Sequence, residues 1–448
     1  MALLRRIFGT PKLAPAEKKS LKREQVNDLT VPVALALLEG GFIGVIADKI
    51  YDVPAGVLAL LTSAAFIGNL SSYLWTKVSS ARAKVPVVVG LQALTMACLI
   101  LIVAAPVNAF GTAMMVVGVV AARCLTAGTV TIRSVVWSLN YPRSIRARTT
   151  GRLHVFTSLV MVATTLVCGP ILDTNPGSFR WMYVAGILIA MIGILSFSRI
   201  QIAGELRHRV YERQSTSKTS VKGESVGFFQ ILKNDKKFAR YELYQFLSGV
   251  SNMILEAPLI YLVSRQLQAS YTVSIAVTMA IPFLMRTVSV PIWARYFDIV
   301  HVTKFRTRLG LVWVLSHLIL WVGALFSSVI VLGVAQAISG FARGGGTIAW
   351  QLGHNDFAPP EKLSAYMSVH VTLTGLRGAL SAILGIALYV GWSNIGWLPD
   401  FQGIGGHLFL LAALIGTWSW LGFVFLYRDI RTIETRTRRE VRPDMKIE

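Results

Sequence analysis

The sequence predicts an all-α membrane protein with twelve transmembrane helices, arranged as two pseudo-symmetric six-helix bundles. Three observations predict it. Of 448 residues, 54% are hydrophobic and only 15% charged, with a mean hydropathy of +0.58, a balance foreign to a soluble chain of this length. Apolar stretches of about 18 to 25 residues recur along the whole chain, each long enough to cross a bilayer core of ~30 Å. The basic residues gather on one side of those stretches.

Charged positions bound the spans in order. The first runs from Val31 to Ile50 behind a basic segment, and the second from Ala55 to Trp75, closed by Lys77. Pro86 to Ala105 and Phe110 to Ile132 follow, set off by Lys84 and Arg133; Val155 to Leu172 and Trp181 to Ser198 complete the first six. The second six are Tyr241 to Val263, Val273 to Trp293, Leu309 to Phe326, Ile330 to Leu352, Tyr366 to Val390 and His407 to Tyr427. Outside these spans or at their very ends, the face carrying both termini holds 37 Lys and Arg, and the other face 3: Lys49, Arg180 and Arg265. Such a bias is the positive-inside pattern, so both termini and the central loop are expected in the cytoplasm. The location expected is multi-pass and integral, in the inner membrane if the protein is bacterial. The net charge of +22 is then topological, and nucleic acid is not an expected partner.

The organisation reads as a basic tail over residues 1–30, a first bundle over 31–198, a flexible polar linker over 199–240, a second bundle over 241–427 and a basic tail over 428–448. Leu38-Glu39-Gly40 echoes Leu247-Ser248-Gly249, offset by 209. Ala127-Gly128-Thr129 with Pro142 echoes Gly345-Gly346-Thr347 with Pro360, offset by 218. A duplicated six-helix unit with a central loop is a transporter layout, with the substrate site at the repeat interface near mid-membrane. Cys98, Cys124 and Cys168 lie in apolar segments without metal-ligand spacing, so neither a disulfide framework nor a metal site is implied. No cofactor is expected, and the absence of a Gly-x-x-x-x-Gly-Lys-Ser/Thr run argues against ATP as the direct energy source.

Between its second and third spans, the second half carries Ala294-Arg295-Tyr296-Phe297-Asp298 followed by Lys304 and Arg306. This resembles the Gly-x-Leu-x-Asp turn with trailing basic residues that marks the major facilitator superfamily. In the first half Ser72-Tyr73-Leu74-Trp75-Thr76-Lys77 takes its place, with Thr76 where the family has Asp. Arg123 followed by Ala127-Gly128 is similar to the family's fourth-helix motif, and Gly169-Pro170 resembles its antiporter motif without the later glycines. The resemblance runs from the first span to the last. It implies a secondary transporter working by alternating access, with Asp298, Lys304 and Arg306 forming a cytoplasmic gate motif.

Ionisable side chains inside a bilayer cost ~2.5 to 3.5 kcal/mol each on insertion scales, so they pair or line water-filled paths. Glu39, Arg123, Glu256, Arg286, Arg343 and Arg377 stand out on that ground. At about 1.5 Å of rise per residue, Glu39 and Arg123 share a depth of ~12 to 14 Å from the cytoplasmic ends of their spans. The resembled fold turns both helices toward the central cavity, so they are the candidates for proton coupling; the alternative is an ion pair that only fixes packing. Polar stripes at helical spacing mark the substrate-cavity candidates: Asn252 and Glu256 on the seventh span, Gln336, Arg343 and Thr347 on the tenth, and His370, Thr374 and Arg377 on the eleventh. Asp48 is expected to touch solvent near the outer end of its span, and His317 to be a packing histidine.

The four arginines exceed the two glutamates by two charges, which suits an anionic substrate held by Arg343 and Arg377. Against this stands a neutral or cationic amphiphile, with the arginines, Arg286 above all, snorkelling to the membrane surface. The rival classes are an intramembrane enzyme, for which the scattered histidines supply no catalytic cluster, and a transporter-like receptor or assembly scaffold. The expected partners are a small-molecule substrate and the lipid bilayer, with the chain acting as a monomer.

Overall fold

The computed structural model describes residues 15–141, 143–202, 204–218, 228–359, 362–393 and 399–441. The first fourteen residues of the expected tail, together with Pro142 and Pro360 of the internal echo, lie outside them. The helices are, in order, α1 (Pro15–Leu38), α2 (Gly40–Ile50), α3 (Ala55–Leu70), α4 (Ser72–Ser79), α5 (Lys84–Ala104), α6 (Ala109–Asn140), α7 (Arg143–Thr174) and α8 (Phe179–Phe197). Two helices follow in the expected linker, α9 (Glu205–Lys218) and α10 (Phe228–Asn234). The second half comprises α11 (Lys236–Met253), α12 (Glu256–Tyr261), α13 (Tyr271–Ile275), α14 (Ile281–Phe297), α15 (Val302–Leu325), α16 (Val329–Leu352), α17 (Leu363–Val390) and α18 (His407–Val441).

Among the described residues, ten helical stretches are long and apolar enough to cross a membrane. Taken together, α1 and α2, bent by 41° at Glu39, make an eleventh, and the shorter α3 occupies the place of the second expected span. Leu94, Ile100, Leu188, Ile192, Leu311, Leu315 and Trp418 project outward from α5, α8, α15 and α18. Apolar surface this extensive belongs against hydrocarbon rather than water. Successive spans run antiparallel, so the start of α1, the segment between α8 and α11, and the end of α18 share one face, called the terminal face below.

Departures from the sequence expectation cluster at that face. The first helix begins at Pro15 rather than Val31, because Glu24, Asn27 and Asp28 are buried instead of solvated. Asp28 and Glu24 pair with Arg133 of α6 at 2.6 and 3.3 Å, Trp137 and Tyr141 donate to Glu24, and Asn27 exchanges hydrogen bonds with Gln92. The charges that silence the hydropathy signal are therefore the ones that tie α1 to α6. The described part of the linker includes α9, which is tied to the first half. Lys84, fully buried, donates to both Glu212 oxygens and to the Ser79 carbonyl, while the amides of Ala81 and Lys84 donate to Glu212 and Glu205. Burial disfavours the Glu212 charge, but the hydrogen bonds from Lys84 and Ala81 and the charges of Lys84 and His208 outweigh it and hold the carboxyl below its ordinary value. In this way α9 grips the α4–α5 turn, just past the helix in which Thr76 stands in place of the family's Asp.

At the face opposite the termini, the halves meet through α2, α7, α12 and α13. Arg265 pairs with Asp48 and Asp52 at 2.9 and 2.7 Å, and Asp173 accepts from the amides of Tyr271 and Thr272. Asp48, expected in solvent, is thus buried under Arg265 and Ser264. Glycines permit this approach: a Cβ on Gly41 would sit 3.0 Å from Met279 Cβ, and one on Gly44 2.9 Å from Ile260 Cδ1. Deeper along the same seam Thr278 donates to the Gly41 carbonyl.

Candidate functional site

The first helix of each half breaks near mid-membrane, and each break carries a glutamate. Glu39 takes an extended ψ of 141° ahead of Gly40-Gly41, residues that weaken helix propagation, so α1 ends and α2 starts on a new axis. In the second half, α11 ends at Met253 and α12 restarts at Glu256, where Pro258 lacks the N–H that would bond the Ile254 carbonyl. Broken helices at this depth persist where their freed backbone groups find partners inside protein. Arg123 of α6 is such a partner: it donates to the freed Leu38 carbonyl and to Glu39 Oε1 at 3.1 Å. Arg343 of α16 lies 3.5 Å from Glu256.

Both pairs line one cavity of about 240 Å³ between the halves. Phe66 of α3, Asn252 of α11, Arg286 and Phe283 of α14, Trp313 and His317 of α15 and Gln336 of α16 share its wall. A second cavity of about 290 Å³ shares Ala65 and Arg123 with the first and runs past Asn69, Thr126, Trp350 and Thr374 toward the terminal face. Among the described residues, the hydrogen bonds and ion pairs joining the halves gather on the opposite side. The exception is Arg286, whose Nη2 is 3.5 Å from Ser158 Oγ.

Of the expected site residues, Glu39, Arg123, Asn252, Glu256, Gln336 and Arg343 meet on the central wall. Thr374 lines the cavity on the terminal side, held by the Trp350 indole. Thr347, His370 and Arg377 lie outside both linings. Thr347 is turned outward, its hydroxyl bonded to the Arg343 carbonyl. His370 is buried between helices 2.9 Å from Glu242 of α11. Arg377 lies flat on Gly249 and donates to the Gln245 carbonyl, in a space that a Cβ at position 249 would close to within 2.1 Å. A stripe at helical spacing identifies the polar face of a helix, but not whether a cavity or a neighbouring helix covers it. Asp298 caps the exposed end of α14, Arg306 is buried in α15, and no ion pair among the described residues joins Asp298 to Lys304 or Arg306.

One member of the wall escaped the sequence reading, and one pairing. Arg286, assigned there to snorkelling, faces the central cavity, and Glu256, expected at the cavity, is also the counterpart of Glu39. The signal was present: Glu39 and Arg123 are 84 residues apart, Glu256 and Arg343 87 apart. His317, buried and bonded to Ser251, also borders the cavity.

A cavity between two helix bundles, with a second cavity on the terminal side and the hydrogen bonds and ion pairs joining the halves gathered mostly on the other, is the arrangement of a membrane transporter. The sequence model of the Major Facilitator Superfamily matches residues 32–382, and the chain belongs to that family. A search of curated proteins gave no match. Among solved structures, a point-mutant form of the nucleoside transporter NupG is similar at 12% identity and a TM-score of 0.70, covering 91% of this chain and 100% of its own. A D-xylose-proton symporter is similar at 12% identity and 0.64, covering 90% and 96%. The xylose transporter XylE from E. coli, in an inward open conformation, is similar at 11% identity and 0.59, covering 91% and 94%. These likenesses concern the fold.

Proposed function

We propose that the chain is a proton-coupled secondary transporter of a small solute, working by alternating access, with Glu39 as the coupling carboxylate and Arg123 as the cation that biases its protonation. The observation that carries this reading is the Glu39–Arg123 pair on a broken helix, facing the cavity between the halves. A carboxylate at that point meets the cavity in either orientation of the bundles and can exchange its proton with each side in turn. One similar structure is that of a D-xylose-proton symporter, which supports the proton as the coupling ion. Asn252, Glu256, Gln336 and Arg343 supply substrate contacts, Thr374 the path, and Asp298, Lys304 and Arg306 the gate at the terminal face. The chain acts as a monomer and not as an enzyme, with its substrate and the bilayer as its partners.

The excess of basic residues on the terminal face supports a cytoplasmic orientation for it, which makes the described state inward-facing. A membrane-impermeant maleimide should label Asn175→Cys in intact cells and Arg207→Cys only after permeabilisation; the reverse pattern inverts the topology. Glu39→Gln should abolish gradient-driven accumulation in proteoliposomes while leaving substrate exchange. Accumulation by the Gln variant at the wild-type level removes Glu39 from the coupling role and leaves it a packing residue.

A further inference from the structure

The charged and titratable groups on the central wall are Glu39 and Arg123 from the first half, and Glu256, Arg286, Arg343 and His317 from the second. The glutamates pair one to one with Arg123 and Arg343. Arg286 is left over: among the described residues no carboxylate lies within 4.0 Å of it, and its contacts are the Phe283 ring at 4.5 Å and a long approach to Ser158. An aromatic face and one hydroxyl are weak compensation for a half-buried guanidinium, which in such surroundings ordinarily takes a carboxylate or phosphate. Snorkelling does not explain it, because the side chain borders the cavity rather than the membrane surface.

We propose that Arg286 is the docking point for the anionic group of the transported solute, a small carboxylate or phosphate compound. This rests on the transport reading above and names its substrate class. Phe283, stacked under the guanidinium, leaves the N–H edge free for two oxygens. The cavity of about 240 Å³ around Arg286 has room for a small metabolite. The position also sets the sign of coupling. A proton arriving on Glu39 or Glu256 removes negative charge from the same wall and strengthens its hold on an anion. By linkage the anion strengthens proton binding in equal measure. Proton and anion therefore travel together as a symport, whereas a cationic solute would compete with the proton.

The test uses the purified full chain in a neutral detergent and pairs matched for shape: benzoate with benzamide and benzylamine, and glucose 6-phosphate with glucose. Thermal unfolding followed by intrinsic fluorescence reads binding. An anionic member should stabilise the protein, more at pH 5.5 than at pH 8, and its neutral and cationic counterparts should not. Arg286→Lys should weaken that binding at least tenfold although the charge is kept, and Arg286→Gln should abolish it. Without any ligand, Arg286→Gln should raise the unfolding temperature by about 2 °C, since an uncompensated charge is removed; a purely structural arginine would give a fall. The proposal is overturned if no anion in the panel binds, if Arg286→Gln binds it like wild type, if the ligand-free variant is destabilised, or if phosphatidylglycerol alone reproduces the Arg286-dependent shift. Arg286-dependent binding without uptake in proteoliposomes would sink the transport reading and leave this site standing. Uptake of a neutral or cationic solute at wild-type rate by Arg286→Gln would do the opposite.

Discussion

The two glutamate–arginine pairs occupy equivalent places in the two halves, yet they are built differently. Arg123 is 9% exposed, 3.1 Å from Glu39, and anchored by the carbonyl that its own half's helix break sets free. Arg343 is 36% exposed, 3.5 Å from Glu256, and its buried Nε has no hydrogen-bond partner. The two arginines thus differ in how firmly they are held: Arg123 is fixed by the backbone group it completes, and Arg343 is not. The difference teaches that an arginine tied to a backbone carbonyl keeps its place whatever the charge on its carboxylate partner, whereas one held by the carboxylate alone is free to take another partner.

The largest effect expected from this contrast is on folding. Arg123→Ala leaves both Glu39 and the Leu38 carbonyl uncompensated and should cost about 3 to 5 kcal/mol, the range for breaking a buried pair from one side. Arg343→Ala should cost less than half as much, as read by denaturation of the two proteins in the same detergent. Equal losses would erase the distinction. A double-mutant cycle sharpens it: the coupling energy between Glu39 and Arg123 should reach about 2 kcal/mol, and that between Glu256 and Arg343 should stay under about 1 kcal/mol. The smallest effect lies outside the membrane, where Glu212 holds the α4–α5 turn. Its carboxyl is held below its ordinary value in the folded protein, so the stability it adds is present above the unfolded-state pKa of about 4 and lost as pH falls through the lower folded-state value. Glu212→Gln should therefore lower thermal stability slightly at pH 7, with the gap to wild type closing as the pH falls below 4.

How much of this was legible follows from what hydropathy measures. Span positions and the family were readable because an apolar run of bilayer length seldom forms except to cross a membrane. The start of α1 was not, because Glu24 and Asp28 lower local hydropathy whether or not Arg133 waits to receive them. Glu39, Arg123, Glu256, Gln336 and Arg343 stood out as polar groups deep in their spans, and all five border the central cavity. Depth along a helix says nothing about azimuth, however, and Arg286, His370 and Arg377 divide on azimuth alone. Only the first of these three turns toward the central cavity; the other two face neighbouring helices. The pairing of Glu256 with Arg343 was readable in principle from a repeated spacing, but it was hidden because the short echo around Leu247 aligned Glu39 with Ser248 instead.

The glycine seam has a consequence for how the carrier's resting state is set. Gly41 brings the first broken helix against the backbone of the segment before α14, where a Cβ would sit 3.0 Å from the Thr278 carbonyl oxygen, whereas a Cβ on Gly44 would press on the flexible end of Ile260. Under alternating access this seam must part when the bundles reorient. A Cβ on Gly41 would act as a wedge at the edge of the cavity, penalising the closed seam. A penalty of about 1.4 kcal/mol would already shift the ratio of the two orientations tenfold. One hydrogen atom on the Gly41 backbone thus serves as a rheostat, by which sequence change can retune which side of the membrane the empty carrier faces.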